Sequence, residues 1–212
     1  GVRQVLSPNV NITRDCRWGR AIETFGEDVL LSCNMGAALC KGFEQNGVIA
    51  TPKHYADNYS FGGRDSNYSD TSERAMREVY LKPFEKCFKE AGAQSVMAAY
   101  NSWEGIPCSA NKKLLTDILR DEWGFDGVVI SDYFAIGELE LHGITDNLKD
   151  AAEMAFDCGC HMEMMSVGYQ SHLKELIEEA DALDIDIIET PQKLINTIIV
   201  ALCYLSLGLS GF

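Results

Sequence analysis

Five short apolar runs, each followed by a stretch long enough for a helix, constrain this chain more than any other feature. They occupy residues 5–10, 48–54, 95–101, 128–132 and 160–165, and helix-length stretches fall between them at 28–45, 70–90, 112–123 and 146–156. Leu30, Leu31, Met35, Ala38 and Leu39 recur near the helical period in the first stretch, and Leu114, Leu115, Ile118 and Leu119 do so in the third. Helical pattern returns at 172–179 and from 191 onward. Asp70 with Glu73 three residues later reads as a cap for 70–90, Pro83 predicts a bend inside that helix, and 57–69 reads as a polar loop. Strands alternating with helices of this length pair in parallel, so the predicted fold class is α/β.

The ends of the runs carry the chemistry. Val128-Val129-Ile130 leads into Ser131-Asp132-Tyr133, Val48-Ile49-Ala50-Thr51-Pro52 into Lys53-His54-Tyr55, and Ser95-Val96-Met97-Ala98-Ala99 into Tyr100-Asn101. A carboxylate where a buried strand emerges costs free energy unless it is paired or used. In a barrel of parallel strands, catalytic groups sit at the C-terminal strand ends. Three runs closing in charges, hydroxyls and amides therefore predict one site built from several strands. From the residues alone, Asp132 is either a nucleophile or a carboxylate capping the next helix.

Composition narrows the partners. A net charge of −14 argues against nucleic acid and against anionic membranes, and it suits a small neutral substrate such as a saccharide. The 212 residues make one domain or a piece of a larger one. Eight cysteines show no framework of close, even spacings, so buried free thiols are expected for most. Cys158-Gly159-Cys160-His161 invites a zinc reading, but no second ligand pair follows at zinc spacing, and no metal or cofactor is predicted. The apolar stretch 194–209 is interrupted by Asn196, Thr197 and Ser206 and falls short of the roughly twenty residues that span a bilayer, so a buried or edge helix is expected there.

An ordered set of motifs extends this reading. Ser7-Pro8-Asn9-Val10-Asn11, Arg14-Asp15-Cys16-Arg17-Trp18-Gly19-Arg20, Glu23-Thr24-Phe25-Gly26-Glu27-Asp28 and Lys53-His54-Tyr55 come first. Ser72-Glu73-Arg74, Tyr80-Leu81-Lys82-Pro83-Phe84, Ser95-Val96-Met97 with Tyr100-Asn101, and Leu119 to Gly127 followed by Ser131-Asp132 complete it. In order and spacing the set resembles family 3 glycoside hydrolases over about residues 1–165. The resemblance implies an incomplete (β/α)8 TIM-barrel-like domain over residues 1–212, with the first strands and a sugar-binding carboxylate on them missing. It also implies that the second family domain, which in most members supplies the acid/base glutamate, is absent from this chain and is its missing partner.

The resemblance further implies a glycosidase that hydrolyses β-glucosides or β-xylosides with retention. Asp132 takes the nucleophile's position. Arg20, Lys53 and His54 match residues that hydrogen-bond the innermost sugar. Tyr100 matches a tyrosine beside the nucleophile, and Met97 and Arg64 line the pocket. Tyr133 stands where many members have a tryptophan wall, and His161 where they more often have aspartate. The alternative partners are Glu23 or Asp28 for Arg20, and Asp57 for Lys53. Glu104, Asp57 and Asp65 are the candidate acid/base residues within the chain, and no histidine follows Lys53-His54 in the loop where the N-acetylglucosaminidases carry an Asp-His pair. Sequons occur at Asn11, Asn58 and Asn67. The competing readings are a truncated, inactive sugar-binding remnant, and a metalloenzyme built on Cys158, Cys160 and His161.

Overall fold

A computed structural model describes residues 1–59 and 68–182. The first parallel ladder joins β1 (Gln4–Val5) to β2 (Ile49–Ala50) and is continued by a bridge from Asn9 to Lys53. Between them runs α1 (Val29–Gln45), whose first turn is capped by the Asp28 carboxylate accepting from Leu31 N. A bridge from Tyr55 to Ala98 carries the pairing across to the third apolar run.

The chain leaves β2 through β3 (Tyr68–Ser69) and enters a continuous helical stretch. This stretch comprises α2 (Glu73–Ala75), a π turn at Met76–Tyr80 and α3 (Lys82–Lys89). Its cap is the Ser72 hydroxyl, which accepts from Ala75 N, rather than the expected Asp70. The irregularity expected at Pro83 falls just before it: Leu81 N bonds to Met76 O five residues back, ahead of a residue with no N–H to offer. Then come β4 (Ser95–Met97), the hairpin β5 (Ser102–Trp103) and β6 (Ile106–Pro107), and a helix at Lys113–Glu122 with π bonding. Next are β7 (Val128–Tyr133), α4 (Glu138–Leu141), α5 (Leu148–Asp157), β8 (Met162–Met164) and α6 (Gly168–Ala182).

The five expected strands are therefore present as shorter ladders, in sequential order and all parallel: β1, β2, β4, β7, β8. That order, with a helix at each crossover, is the connectivity of a TIM-barrel-like sheet. Its inner side is already formed at the N-terminal end, where Gln4 donates to both Thr51 Oγ1 (3.0 Å) and Ser95 Oγ (3.1 Å), tying three strands together. The chain adds a small second sheet of β3, which falls in the expected polar loop, and of β5 and β6, where the sequence predicts no strand. The helical pattern from 191 onward and the apolar stretch 194–209 lie outside the described residues.

The core lies between sheet and helices. Leu114, Leu115, Ile118 and Leu119 are buried, as their period predicts. α1 differs from expectation. It buries Ser32, Cys33, Gly36, Ala37 and Cys40, while Leu30, Leu31, Met35 and Leu39 face outward. The small face wins because α1 packs closely: a Cβ on Gly36 would stand 2.7 Å from Val10 Cγ1 and 3.3 Å from Cys87 Sγ of α3. Gly127 serves the same purpose where β7 begins, since a Cβ there would stand 2.2 Å from Gln94 O. The described cysteines are free thiols, with Cys33, Cys40, Cys87, Cys108 and Cys160 buried.

Candidate active site

The polar residues at the C-terminal ends of β2, β4 and β7 converge. Asp132 is 7% exposed at the end of β7, and its Oδ1 accepts from Tyr133 N at 2.8 Å. It caps no helix: α4 starts at Glu138 and has no side-chain cap, which disfavours the structural role open to it in sequence. Its Oδ2 lies 3.6 Å from His54 Nε2. A carboxylate buried to this degree costs roughly several kcal/mol unless charges and donors surround it.

His54 is fixed from behind. Asn11 Oδ1 accepts from His54 N at 2.8 Å and stands 3.1 Å from Nδ1, while Asn11 Nδ2 donates to His54 O at 2.8 Å. In front, Arg20 Nη1 is 2.7 Å from His54 Nε2. Arg20 also grips Glu23 at two points, 2.7 and 2.6 Å, as one of its alternative partners requires. The ion pair and the approach to His54 thus coexist. Glu23 is held below the usual carboxylate range, chiefly by Arg20, with the charge of Lys53 adding to the effect. Lys53 itself is half-buried on the strand that bridges Asn9.

Tyr100 and Met97 are buried on and beyond β4. The Tyr100 hydroxyl donates to Tyr133 O at 2.5 Å, one residue past Asp132, and so ties the ends of β4 and β7 together. Tyr133 is 57% exposed and pairs with Met164 of β8. Phe134, Met165 and Val167 continue an apolar rim on that side, and all three have left-handed φ angles of 60°, 70° and 58°.

The two described candidates for the acid, Glu104 and Asp57, have other partners. Glu104 sits at the tip of the β5–β6 hairpin and pairs with Lys113 at 3.1 Å. Asp57 is buried, accepts from Ser69 and from Thr71 Oγ1 (2.6 Å), and is pushed up to about 6 by burial. Arg64, Asp65 and the Asn67 sequon lie outside the described residues. Asn11 and Asn58 are both buried, and Asn58 donates to Asn101 Oδ1 at 3.1 Å.

The zinc reading finds no support: among the described residues no cluster of three or more His, Cys, Asp or Glu is placed to hold a metal. His161 instead faces Arg120, with Nδ1 3.3 Å from Nη2, and Arg120 donates to Phe125 O and Gly127 O at 2.7 Å each. In the sequence Asn11 stands within a motif and as a sequon, and neither points to its contact with His54. The signal available was an amide emerging beside another, Asn9, at a polar strand end.

Comparison with known proteins places this geometry. The family model of the glycosyl hydrolase family 3 N-terminal domain matches residues 1–197. A β-xylosidase of Formosa agariphila is 43% identical over 178 residues, covering 78% of this chain and 24% of the relative. A periplasmic β-glucosidase of Salmonella typhimurium is 34% identical over 203 residues, covering 92% and 26%. Among solved structures, a β-glucosidase from Listeria innocua superposes with a TM-score of 0.79 at 36% identity, covering 84% of this chain and 26% of that one. An exo-β-xylosidase in complex with a xylobiose aziridine probe gives 0.78 at 30%, covering 91% and 26%. The chain thus spans about a quarter of the length of these proteins.

Proposed function

The chain belongs to glycosyl hydrolase family 3, and we propose that it is the nucleophile-bearing part of a retaining β-glycosidase acting on a neutral β-glucoside or β-xyloside. The observation that carries this reading is the buried Asp132 carboxylate at a barrel strand end, with His54 Nε2 at 3.6 Å and Arg20 Nη1 at 2.7 Å from that nitrogen. The described residues form part of a (β/α) barrel, and in this reading a further domain of the same enzyme completes the site.

In this reading an Asp132 oxygen attacks the anomeric carbon as the bond to the leaving oxygen breaks. The leaving oxygen takes a proton from an acid outside the described cluster, about 5–5.5 Å from the nucleophile in retaining enzymes. Water then attacks the same carbon, releasing the sugar and restoring the carboxylate. Arg20, Lys53 and His54 bind the sugar hydroxyls. Their charges and dipoles are fixed before the substrate arrives, so they need little reorganisation as charge grows on the ring. Met97 and Tyr100 line the floor, and the exposed Tyr133 ring offers a stacking face.

The test is azide rescue in the complete enzyme. Asp132→Ala is expected to lose turnover of a nitrophenyl β-glycoside, and azide is expected to restore release of nitrophenol with formation of the α-glycosyl azide. Full activity without azide would overturn the assignment.

A further inference from the structure

We propose that Asn11 is a positioning residue that sets the tautomer of His54 and, through it, the place of the Arg20 guanidinium beside Asp132; its consequence for catalysis rests on the glycosidase reading above. The starting point is the orientation of the Asn11 amide. Its Nδ2 donates to the His54 carbonyl and its Oδ1 accepts from the His54 backbone N–H, both at 2.8 Å. Turning the amide over would set two donors and two acceptors against each other, so the backbone of His54 fixes which end is oxygen. The Asn11 backbone N–H donates to Asn9 Oδ1 at 3.2 Å, which ties the residue to the strand end from the other side.

Asn11 Oδ1 also faces His54 Nδ1 at 3.1 Å. Only a protonated Nδ1 can bond to it. In a neutral ring Nε2 then has a lone pair and no hydrogen. Arg20 Nη1, which can only donate, meets this nitrogen at 2.7 Å. The opposite tautomer would press two donors together at that distance. It would also turn an Nε2–H toward Asp132 Oδ2, 3.6 Å away. Both Asn11 and His54 are almost wholly buried, at 2% and 1% exposure, so water does not readily replace the amide. A chain of contacts therefore runs from Asn11 through His54 to Arg20, whose Nε and Nη2 each donate to Glu23. With Arg20 Nη1 on the Nε2 lone pair, a sugar hydroxyl that reaches this nitrogen must donate in place of Arg20, which gives the site a direction as well as a shape.

The experiment is a long-range ¹H–¹⁵N correlation spectrum of the 212-residue chain labelled with ¹⁵N-histidine. The wild-type protein is expected to show His54 as the neutral Nδ1–H tautomer. Asn11→Ala is expected to convert it to Nε2–H or to a mixture, while the signals of His142, His161 and His172 stay in place and report that the fold persists. Asn11→Asp keeps the acceptor and is expected to retain a proton on Nδ1, which a merely space-filling role for Asn11 would not require. An Nε2–H signal in the wild type, or an unchanged tautomer in a folded Asn11→Ala, would overturn the proposal. If Asn11→Ala does not fold, the wild-type spectrum and Asn11→Asp decide. Covalent labelling of Asp132 by an activated glycoside reports separately on the glycosidase reading, so the two can fail independently.

Discussion

His54 Nε2 lies 3.6 Å from Asp132 Oδ2, although the two residues sit at the ends of β2 and β7 with β4 between them. Strands two places apart in a sheet are about 9–10 Å apart. The two side chains meet because they lean inward over the mouth of a curved sheet, as barrel strands require. The same curvature brings Gln4, Thr51 and Ser95 together at the opposite end.

The packing of α1 gives the first prediction. Gly36→Val should destabilise the protein by about 1–3 kcal/mol, as overpacking does, because Val10 and Cys87 occupy the space a side chain needs. Leu31→Gln, on the outer face where Leu31 is 49% exposed, should stay within about 0.5 kcal/mol of wild type. Urea unfolding midpoints would check both, and the reverse ranking would mean that α1 is rotated.

At the start of β7 the prediction concerns Gly127. Gly127→Ala places a methyl group 2.2 Å from Gln94 O, backbone against backbone, where neither side can move alone. The β4–β7 ladder should weaken and the melting temperature should fall by several degrees, which corresponds to about 1–2 kcal/mol for a domain of this size. An unchanged melting curve would contradict the observed approach of the two strands.

Two buried groups should give stability opposite slopes with pH. His161 is pushed down to about 4 by burial and by the neighbouring Arg120 charge. The unfolded chain therefore binds its proton first, and stability falls as pH drops from about 6.5 towards 4. Asp57 is pushed up to about 6 by burial. There the folded chain binds the proton first, so its contribution is fully present below about pH 4 and is lost as pH rises through 6. His161→Gln should lessen the loss of melting temperature between pH 7 and pH 5, and Asp57→Asn should deepen it. Parallel shifts in both variants would refute the assignment.

The left-handed backbone at Val167 gives a fourth prediction. A β-branched residue at φ 58° is strained, by about 1–2 kcal/mol relative to glycine's freedom there, and Val167 is 51% exposed with little packing to lose. Val167→Gly should raise the thermal midpoint slightly. A clear fall would show that the side chain makes contacts that offset the strain.

Much of this was legible in the sequence, and the exceptions have physical causes. Strand order followed from the alternation of apolar runs and helices, and the approach of His54 to Asp132 from polar strand ends; Arg20 entered only through its motif. The buried face of α1 was misread because periodicity counts large apolar side chains. Close helix packing selects small ones instead, and Gly36, Ala37 and Cys40 meet that need. The sheet formed by β3, β5 and β6 was missed because each strand has only two residues, too few for an alternation to register. The role of Asn11 was hidden because its three side-chain bonds all reach one residue far along the chain, and no local pattern encodes such a contact.

The central claim is that Asp132 is the nucleophile, and covalent trapping tests it most directly. A dinitrophenyl 2-deoxy-2-fluoro-β-glycoside has a leaving group that needs little protonation, so a general acid, whose effect is typically about 10²–10⁴-fold, is not required. After incubation of the 212-residue chain, intact mass and peptide mapping should show one fluoroglycosyl group on Asp132, and none in Asp132→Ala, while cellobiose and xylobiose survive with the wild-type chain. A label on another carboxylate, a label that persists in Asp132→Ala, or no label at all on the folded chain would contradict the account.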